Sequence, residues 1–134
     1  MIFLPDTNAC IALLRGRSAN LTARWRTAKL SDMVLCSVVI YELRHGAERS
    51  SVPAAEHAKL DLFVRPFYSL PFDDLCARKS AEIRFALERT GKPIGPHDLQ
   101  IAAIALVHGL TLITHNTREF QRISGLKLTD WELQ

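Results

Sequence analysis

Apolar and polar residues follow one another in a pattern that predicts short buried strands separated by helices. Four short apolar runs, each ended by turn-forming residues, have the length of buried strands; they cover residues 2–4, 33–36, 67–70 and 110–114. The pattern also allows a fifth strand near residues 126–128. Helical segments lie between the runs, and the first is expected to be capped by Asp6, Thr7 or Asn8 and the third by Ser37. This alternation predicts an α/β domain with a mainly parallel sheet of four to five strands.

The most apolar segment follows Pro96 and predicts a helix that is buried on almost every side. Its apolar side chains fall on two stripes, Leu99, Ala102, Ala103 and Leu106 on one and Ile101, Ile104 and Ala105 on the other. Asp98 lies in the first turn, where the helix dipole stabilises a carboxylate but apolar surroundings make its charge costly. Taken alone, Asp98 either serves the helix end or binds a cation.

Composition narrows the class of protein. The chain has 134 residues, 48% hydrophobic and 23% charged, which excludes a disordered chain and fits one domain over residues 1–134. Its net charge of +3 is compatible with a polyanionic partner without demonstrating one. The separated Cys10, Cys36 and Cys76 predict reduced thiols rather than disulfides or a zinc site. With Asp6 and Asn8 interrupting the apolar start, we expect a cytoplasmic protein without a signal peptide or a membrane span.

Three carboxylates fall at comparable places in the predicted sheet. Asp6 follows the first strand, Glu42 lies on the helix after the second strand, and Asp98 opens the buried helix. The ends of parallel strands form the ligand crevice of such sheets. Glu42 alone is equally well explained as a half-exposed residue paired with Arg44 or Arg49. Together, clustered carboxylates raise one another's pKa unless a cation lies between them, and oxygen-only ligands suit Mg²⁺ or Mn²⁺.

Five segments resemble the PIN-domain family, and more narrowly the VapC-type toxins of bacterial toxin–antitoxin pairs. They occur in the family's order and spacing over almost the whole chain: LPDTN at 4–8, SVVIYELRHGAE at 37–48, GPHDLQIAA at 95–103, LITHNTREF at 112–120 and LTDW at 128–131. The resemblance implies a three-layer α/β/α sandwich and an Mg²⁺- or Mn²⁺-dependent endoribonuclease, with a tRNA as the expected substrate. It also implies inhibition by a small VapB-type antitoxin, through which the protein meets operator DNA.

Site residues follow from the same resemblance. Asp6, Glu42 and Asp98 match the family's metal-binding acids. Either Asn116 or Glu119 is expected to complete the site, because family members differ at this point. Thr7, Asn8 and Thr114 match polar residues that line it and orient carboxylates and water.

Several features leave alternatives open. His97 is a contact to RNA phosphate, a proton carrier or a loop residue at the rim. Arg15 and Arg17 form either an RNA-tracking surface or a solvated helix face. Apolar residues around Phe63, Phe67 and Phe72 suggest a homodimer contact.

Pro5 departs from the family pattern, since an ordinary apolar residue usually precedes the first Asp. Proline is unfavourable inside a central strand. Together with the absence of an Asp at position 116, Pro5 keeps a second hypothesis open. In that hypothesis the chain is a catalytically weak or inactive PIN-like module that binds an antitoxin and acts in operator autoregulation. A DNA-directed PIN nuclease is a third reading.

Overall fold

The computed structural model describes residues 1–133. The strands are β1 (Phe3–Pro5), β2 (Val34–Cys36), β3 (Tyr68–Leu70), β4 (Thr111–Ile113) and β5 (Lys127–Thr129). The α-helices are α1 (Thr7–Leu14), α2 (Ala19–Thr27), α3 (Ser37–Arg49), α4 (Pro53–Val64), α5 (Asp74–Arg89), α6 (Pro96–His108) and α7 (Thr117–Phe120), with one 3₁₀ turn at Leu30–Asp32. The predicted alternation of strands and helices is confirmed, including the fifth strand.

All strand pairs are parallel. Strands β1, β4 and β5 form a three-stranded sheet in the order β1-β4-β5, and β2 pairs with β3. A single bridge between Phe3 and Met33 joins the two sheets. The strands therefore run in the spatial order β3-β2-β1-β4-β5. Because crossovers between parallel strands are right-handed, this order places α1–α4 on one face of the sheet and α5–α7 on the other. The predicted α/β/α sandwich is confirmed.

Pro5 explains why β1 and β2 share only one bridge. The Asp6 N–H donates to the carbonyl oxygen of Ile113 on β4 at 2.9 Å. Successive residues of a strand direct their backbone groups to opposite neighbours, so residue 5 faces β2. Proline has no N–H to donate there, and the pairing stops after the bridge at Phe3. Pro5 thus weakens the β2 side of the strand and leaves the β4 side intact.

Helix α6 forms much of the core. Its residues Ile101 through Ala105 have no exposed surface, and Leu99 is 7% exposed. Helix α5 packs along it with a buried face that includes Cys76, Ile83 and Leu87. The helix ends at Gly109, whose φ of 65° is the left-handed conformation that favours glycine. The prediction of a helix that is buried on almost every side and carries a carboxylate in its first turn is confirmed, although Leu106 is only partly buried.

Two local predictions were wrong or incomplete. Ser37 is not the N-cap of α3; Cys36 is, and the Ser37 hydroxyl instead accepts a 3.1 Å hydrogen bond from the Phe72 N–H in the segment after β3. The sequence also predicts that this helix ends at Gly46, whereas α3 continues to Arg49. Within residues 1–133, no helix combines the length and hydrophobicity that a membrane crossing needs.

Candidate metal centre

The candidate site lies where the strand order reverses. The chain leaves β1 toward β2 on one side and leaves β4 toward β5 on the other, and open α/β sheets form their ligand crevice between such strands. Asp6 directly follows β1 and Thr114 directly follows β4. The Thr114 hydroxyl donates a 2.6 Å hydrogen bond to Asp6 Oδ2, which joins the two strand ends.

Asp6 is the most buried acid of the site, with 3% of its surface exposed. It is the N-cap of α1, and its Oδ1 accepts a 2.8 Å hydrogen bond from the Ala9 N–H. Burial raises the pKa of Asp6 to about 6, while the hydrogen bonds from Thr114 and Ala9 oppose that rise and the charge of Asp98 adds to it. Asp6 is therefore fixed in position but costly to ionise.

Glu42 projects from α3 and is held at both carboxylate oxygens. The Thr7 hydroxyl donates to Oε1, and His97 Nδ1 lies 3.3 Å from Oε2. Thr7 is the first residue of α1 and is 9% exposed, so its hydroxyl has a fixed direction. The sequence predicted that Thr7 orients a carboxylate, and in the structure that carboxylate belongs to Glu42.

Asp98 is half-buried in the first turn of α6. Burial raises its pKa, and the negative charges of Glu42 and Glu119 raise it further, whereas His97 lowers it. Gly95 stands at the helix N-cap, and a Cβ there would lie 3.9 Å from Asp98 Oδ2, in ordinary contact. The charge of this residue is thus opposed by two other acids that the fold places nearby.

Asn116 and Glu119 form one unit. The Asn116 side-chain amide donates a 2.8 Å hydrogen bond to Glu119 Oε2, and its backbone N–H donates to Thr114 Oγ1 at 3.0 Å. A carboxylate only accepts hydrogen bonds, so the amide nitrogen must face Glu119, and the amide oxygen Oδ1 points elsewhere. Thr114 therefore connects this pair to Asp6 through a single hydroxyl group.

These oxygens suit a hard divalent cation. The three acids come from three separate elements, and burial and mutual repulsion raise the pKa of Asp6 and Asp98. Carboxylate and amide oxygens without sulfur are the ligands that Mg²⁺ and Mn²⁺ prefer. Among residues 1–133, the only ion-pair partner of Asp6, Glu42, Asp98 or Glu119 is the imidazole of His97. The donor set is thus compatible with a bound cation.

The remaining predicted residues lie at differing positions. Asn8 is exposed on the first turn of α1, and within residues 1–133 its side chain makes no hydrogen bond. His97 contacts Glu42 at the rim, with 43% of its side chain exposed. Arg15 and Arg17 are exposed beyond the far end of α1, about 12 Å along the helix from Asp6. Phe63 and Phe67 pack on Trp25, and Phe72 packs partly buried against the core.

A second polar group lies at the same edge of the sheet; the sequence offered His115 with the same alternatives as His97, but its acidic partners were missed. His115 Nδ1 lies 2.8 Å from Asp130 Oδ2, and Glu132 Oε2 lies 3.9 Å from the same nitrogen. The charge of Glu132 also contributes to the raised pKa of Asp6. The available signal was the position of Asp130 directly after β5, which corresponds to that of Asp6 after β1.

Comparisons with known proteins agree with this geometry. The model of the PIN domain family matches residues 3–126. The chain is 38% identical over 129 residues to the tRNA(fMet)-specific endonuclease VapC of Shigella flexneri, covering 96% of this chain and 97% of that protein. Its fold is similar to a chain of the DNA-bound VapBC crystal structure from Salmonella typhimurium, with a TM-score of 0.91, 35% identity and 98% coverage of each chain. It is also similar to a chain of Rickettsia felis VapBC2 bound to a promoter DNA fragment, with a TM-score of 0.88, 30% identity, and coverage of 98% and 99%.

The chain therefore belongs to the PIN domain family, and within it to the VapC ribonucleases. Members of this family are nucleases that generally depend on a divalent metal ion. The resemblance predicted from the five sequence segments is confirmed.

Proposed function

We propose that this protein is the toxin of a toxin–antitoxin pair and hydrolyses RNA phosphodiester bonds with Mg²⁺ or Mn²⁺. Asp6, Glu42 and Asp98 would hold the ion, and Asn116 and Glu119 would complete the site. The observation that carries the proposal lies at the point where the strand order reverses. There Asp6 after β1, Glu42 on α3 and Asp98 on α6 are near enough for Asp98 to raise the pKa of Asp6 and for Glu42 to raise that of Asp98, in addition to the larger effect of burial. Burial is the main cause of these raised pKa values and repulsion between the acids adds to it; a bound cation would offset both.

Each residue of the site has a task in this reaction. When bound, a divalent ion supplies a water of lowered pKa and stabilises the charged oxygens of an in-line displacement at phosphorus. Asp6 and Glu42 are held in fixed directions by Thr114 and Thr7. Glu119, which accepts a hydrogen bond from Asn116, would accept a proton from the attacking water. Attack by water with the 3′-oxygen leaving yields a 3′-hydroxyl and a 5′-phosphate.

A tRNA is the proposed substrate. The relative from Shigella flexneri carries the name tRNA(fMet)-specific endonuclease and matches this chain over nearly its whole length. Arg15 and Arg17 are exposed, and among residues 1–133 no carboxylate pairs with them, so both are free to contact RNA phosphates away from the site.

The proposed partner is a small VapB-type antitoxin. The similar solved structures are VapBC complexes, one of them bound to a promoter fragment. We propose that the antitoxin covers the acidic pocket with a basic side chain and that operator DNA is reached through the antitoxin. A homodimer in the cytoplasm is the proposed state of the toxin.

Cleavage of total tRNA by purified, antitoxin-free protein tests this function. The reaction is run with Mg²⁺ or Mn²⁺, with EDTA, and with the Asp98→Ala variant. Asp74→Ala is the matched control, since Asp74 also lies in the first turn of a helix but is exposed on α5. We expect discrete fragments from wild type and Asp74→Ala, and none with EDTA or Asp98→Ala.

Other outcomes separate the alternatives. Equal cutting by Asp98→Ala would overturn the site assignment. If wild type neither cuts RNA nor binds metal by calorimetry, the inactive antitoxin-binding module is correct instead. Cleavage of single-stranded or duplex DNA in preference to tRNA would indicate a DNA-directed nuclease.

A further inference from the structure

An exposed group of three rings stands at the rim of the acidic site. Tyr41 precedes Glu42 on α3 and is 56% exposed. Its ring lies 5.3 Å from that of His97, at an interplanar angle of 72°, and 6.4 Å from that of His45, nearly parallel at 7°. His97 in turn contacts Glu42. Tyr41 is thus the neighbour in sequence of Glu42, a proposed metal ligand, and the imidazole of His97 contacts both side chains.

This arrangement is not explained by core packing. The two apolar clusters of the described residues do not include Tyr41, and a large exposed ring gains little by hydrophobic burial. His45 follows Tyr41 by four residues and therefore lies on the same side of α3, where the two rings are nearly parallel. His97 contacts Tyr41 in an edge arrangement, which restricts how the ring rotates.

Other exposed rings are differently placed. Phe85 lies on α5 beneath the guanidinium of Arg89, at 5.7 Å, and so one of its faces is already covered. Tyr68 is 68% exposed on β3, the edge strand at the far side of the sheet from β5. Among the described residues, Tyr41 is the exposed tyrosine or phenylalanine that stands next to the carboxylates.

We propose that the Tyr41 ring, oriented by His45 and His97, stacks on an unpaired nucleobase next to the phosphodiester bond held at the acidic site. In a duplex, base faces are covered by their neighbours, whereas loops and single strands leave them free to stack on aromatic side chains. The proposal rests on the proposed nuclease function and makes it more specific. The substrate is then an unpaired segment of RNA, and the Tyr41 ring favours RNA that has a base next to the bond to be cut.

Binding of a short single-stranded RNA labelled with fluorescein tests the proposal, measured by anisotropy in the Asp98→Asn background so that the RNA stays intact. A second oligonucleotide carries an abasic site in place of one base at each position in turn. We expect Tyr41→Ala to weaken binding of the intact RNA roughly five- to hundredfold, the range that loss of one stacked base gives. The same variant should leave binding of the oligonucleotide with the critical abasic site unchanged. Tyr41→Phe keeps the ring and should bind as the parent does.

The control and a spectroscopic readout make the test specific. Tyr68→Ala removes a tyrosine that is somewhat more exposed than Tyr41 and lies away from the site, and it should not change binding. 2-Aminopurine at the critical position should be quenched on binding to the parent and to Tyr41→Phe, and not on binding to Tyr41→Ala, because stacking quenches this base.

Two results would overturn the proposal. The first is equal affinity of Tyr41→Ala and its parent for the intact RNA, and the second is an equal loss for intact and abasic RNA. If the first result came with weaker binding of the purified antitoxin, the rim would be a protein-docking surface instead. Base-dependent binding without any cleavage by the wild-type chain would support the stacking site while contradicting the nuclease function, so the two failures are distinguishable.

Discussion

Thr114 donates its hydroxyl proton to Asp6 Oδ2 across 2.6 Å and thereby ties the end of β4 to the end of β1 inside the protein. The hydroxyl oxygen of Thr114 also accepts a hydrogen bond from the backbone N–H of Asn116. One buried side chain, 1% exposed, thus sets the direction of the first carboxylate and the course of the chain that carries the fourth. Side chains that orient ligands in this way typically change metal affinity or activity about 10- to 100-fold when removed.

We expect Thr114→Val to weaken Mg²⁺ or Mn²⁺ binding and RNA cleavage by about 10- to 100-fold, because valine keeps the shape and removes both hydrogen bonds. The pKa of Asp6 should also rise further, since the bond from Thr114 lowers it. Metal titration by calorimetry and cleavage kinetics measure the first effect. The pH dependence of metal binding measures the second.

Thr111→Val is the matched control. Thr111 lies on β4, the strand that Thr114 follows. It is 5% exposed, and within residues 1–133 its Oγ1 is buried without a hydrogen-bond partner. Removing an unpaired buried hydroxyl should leave activity unchanged and keep or raise stability. Equal losses in Thr111→Val and Thr114→Val would mean that the Asp6 contact has no special role.

Asp6 makes the metal-free protein less stable as the pH rises. Its pKa goes from 3.8 in an ordinary setting to about 6 in the folded chain. Below about pH 4 Asp6 is protonated in both the folded and the unfolded state, so it does not change the free energy of unfolding. Between about pH 4 and about pH 6 the unfolded state loses this proton while the folded state keeps it, so the free energy of unfolding falls as the pH rises. The cost approaches about 3 kcal/mol at neutral pH. We expect Asp6→Asn, which stays neutral, to raise the free energy of unfolding in EDTA at pH 8 and to leave it nearly unchanged at pH 4.

Asp73→Asn should change the free energy of unfolding in the opposite direction to Asp6→Asn, although both acids are helix N-caps. Asp73 caps α5 as Asp6 caps α1, but the Cys76 N–H lowers the pKa of Asp73. Its charge stabilises the fold above its unfolded pKa, so Asp73→Asn should lower stability at neutral pH and have no such effect in acid. Urea unfolding at the two pH values checks both variants. A destabilised Asp6→Asn at pH 8 would contradict the assigned cost.

The local sequence pattern was sufficient to predict which candidate site residues follow strands. Asp6 and Thr114 each end an apolar run, and the parallel order of a sheet brings such ends together whatever the details of packing. Asp98 became a candidate because a carboxylate at the start of an all-apolar helix is costly to bury, but only together with Asp6 and Glu42 did it indicate a cation site. These inferences rest on periodicity and on charge, which the sequence carries directly.

Contacts between distant segments were beyond local pattern. Serine is a common N-cap residue, but the hydroxyl oxygen of Ser37 instead accepts a hydrogen bond from the N–H of Phe72, 35 residues later. Similarly, the ring contact between Tyr41 and His97 depends on how α3 and α6 approach each other. The choice between Asn116 and Glu119 stayed open because the turn that faces one toward the other is set by Thr114.

Glu119 and Asn116 should act as a coupled pair. If Glu119 supplies the oxygen and Asn116 orients it through the 2.8 Å hydrogen bond, Glu119→Gln should reduce cleavage more than Asn116→Ala. The double variant should be no worse than Glu119→Gln alone, because removing the oriented group leaves nothing to orient. Single-turnover cleavage rates at saturating Mn²⁺ measure the cycle. A larger loss for Asn116→Ala, with Glu119→Gln near wild type, would instead make the amide oxygen the ligand.

Arg15 and Arg17 should contribute to RNA affinity through phosphates alone. Both are exposed about 12 Å along α1 from the acids. We expect the Arg15→Ala, Arg17→Ala double variant to bind RNA more weakly at low salt and to reduce the slope of log affinity against log salt by about 0.7 per arginine. The catalytic rate at saturating RNA should stay the same, because neither residue reaches the carboxylates.

A double variant on α5 controls for net charge. Arg78 and Arg84 pair with Glu82 and Glu88 on the same helix, so their removal changes the total charge equally without touching α1. Its salt slope should match wild type. If both double variants lower the slope alike, the arginines act through net charge and form a solvated face.

Pro5→Val decides whether the departure from the family pattern affects catalysis. The Asp6 carboxylate is fixed by Thr114 and by the Ala9 N–H, and neither contact passes through the backbone donor that Pro5 lacks. The new N–H would face β2, where it adds a rung of about 0.5–1.5 kcal/mol. The loss of proline's restriction on the unfolded chain offsets this by about 0.4–1 kcal/mol. We therefore expect cleavage rate and stability close to wild type, with new amide protection at residue 5 by hydrogen exchange. A marked gain of activity would show that Pro5 displaces Asp6 in the native chain and would favour the weakly catalytic module.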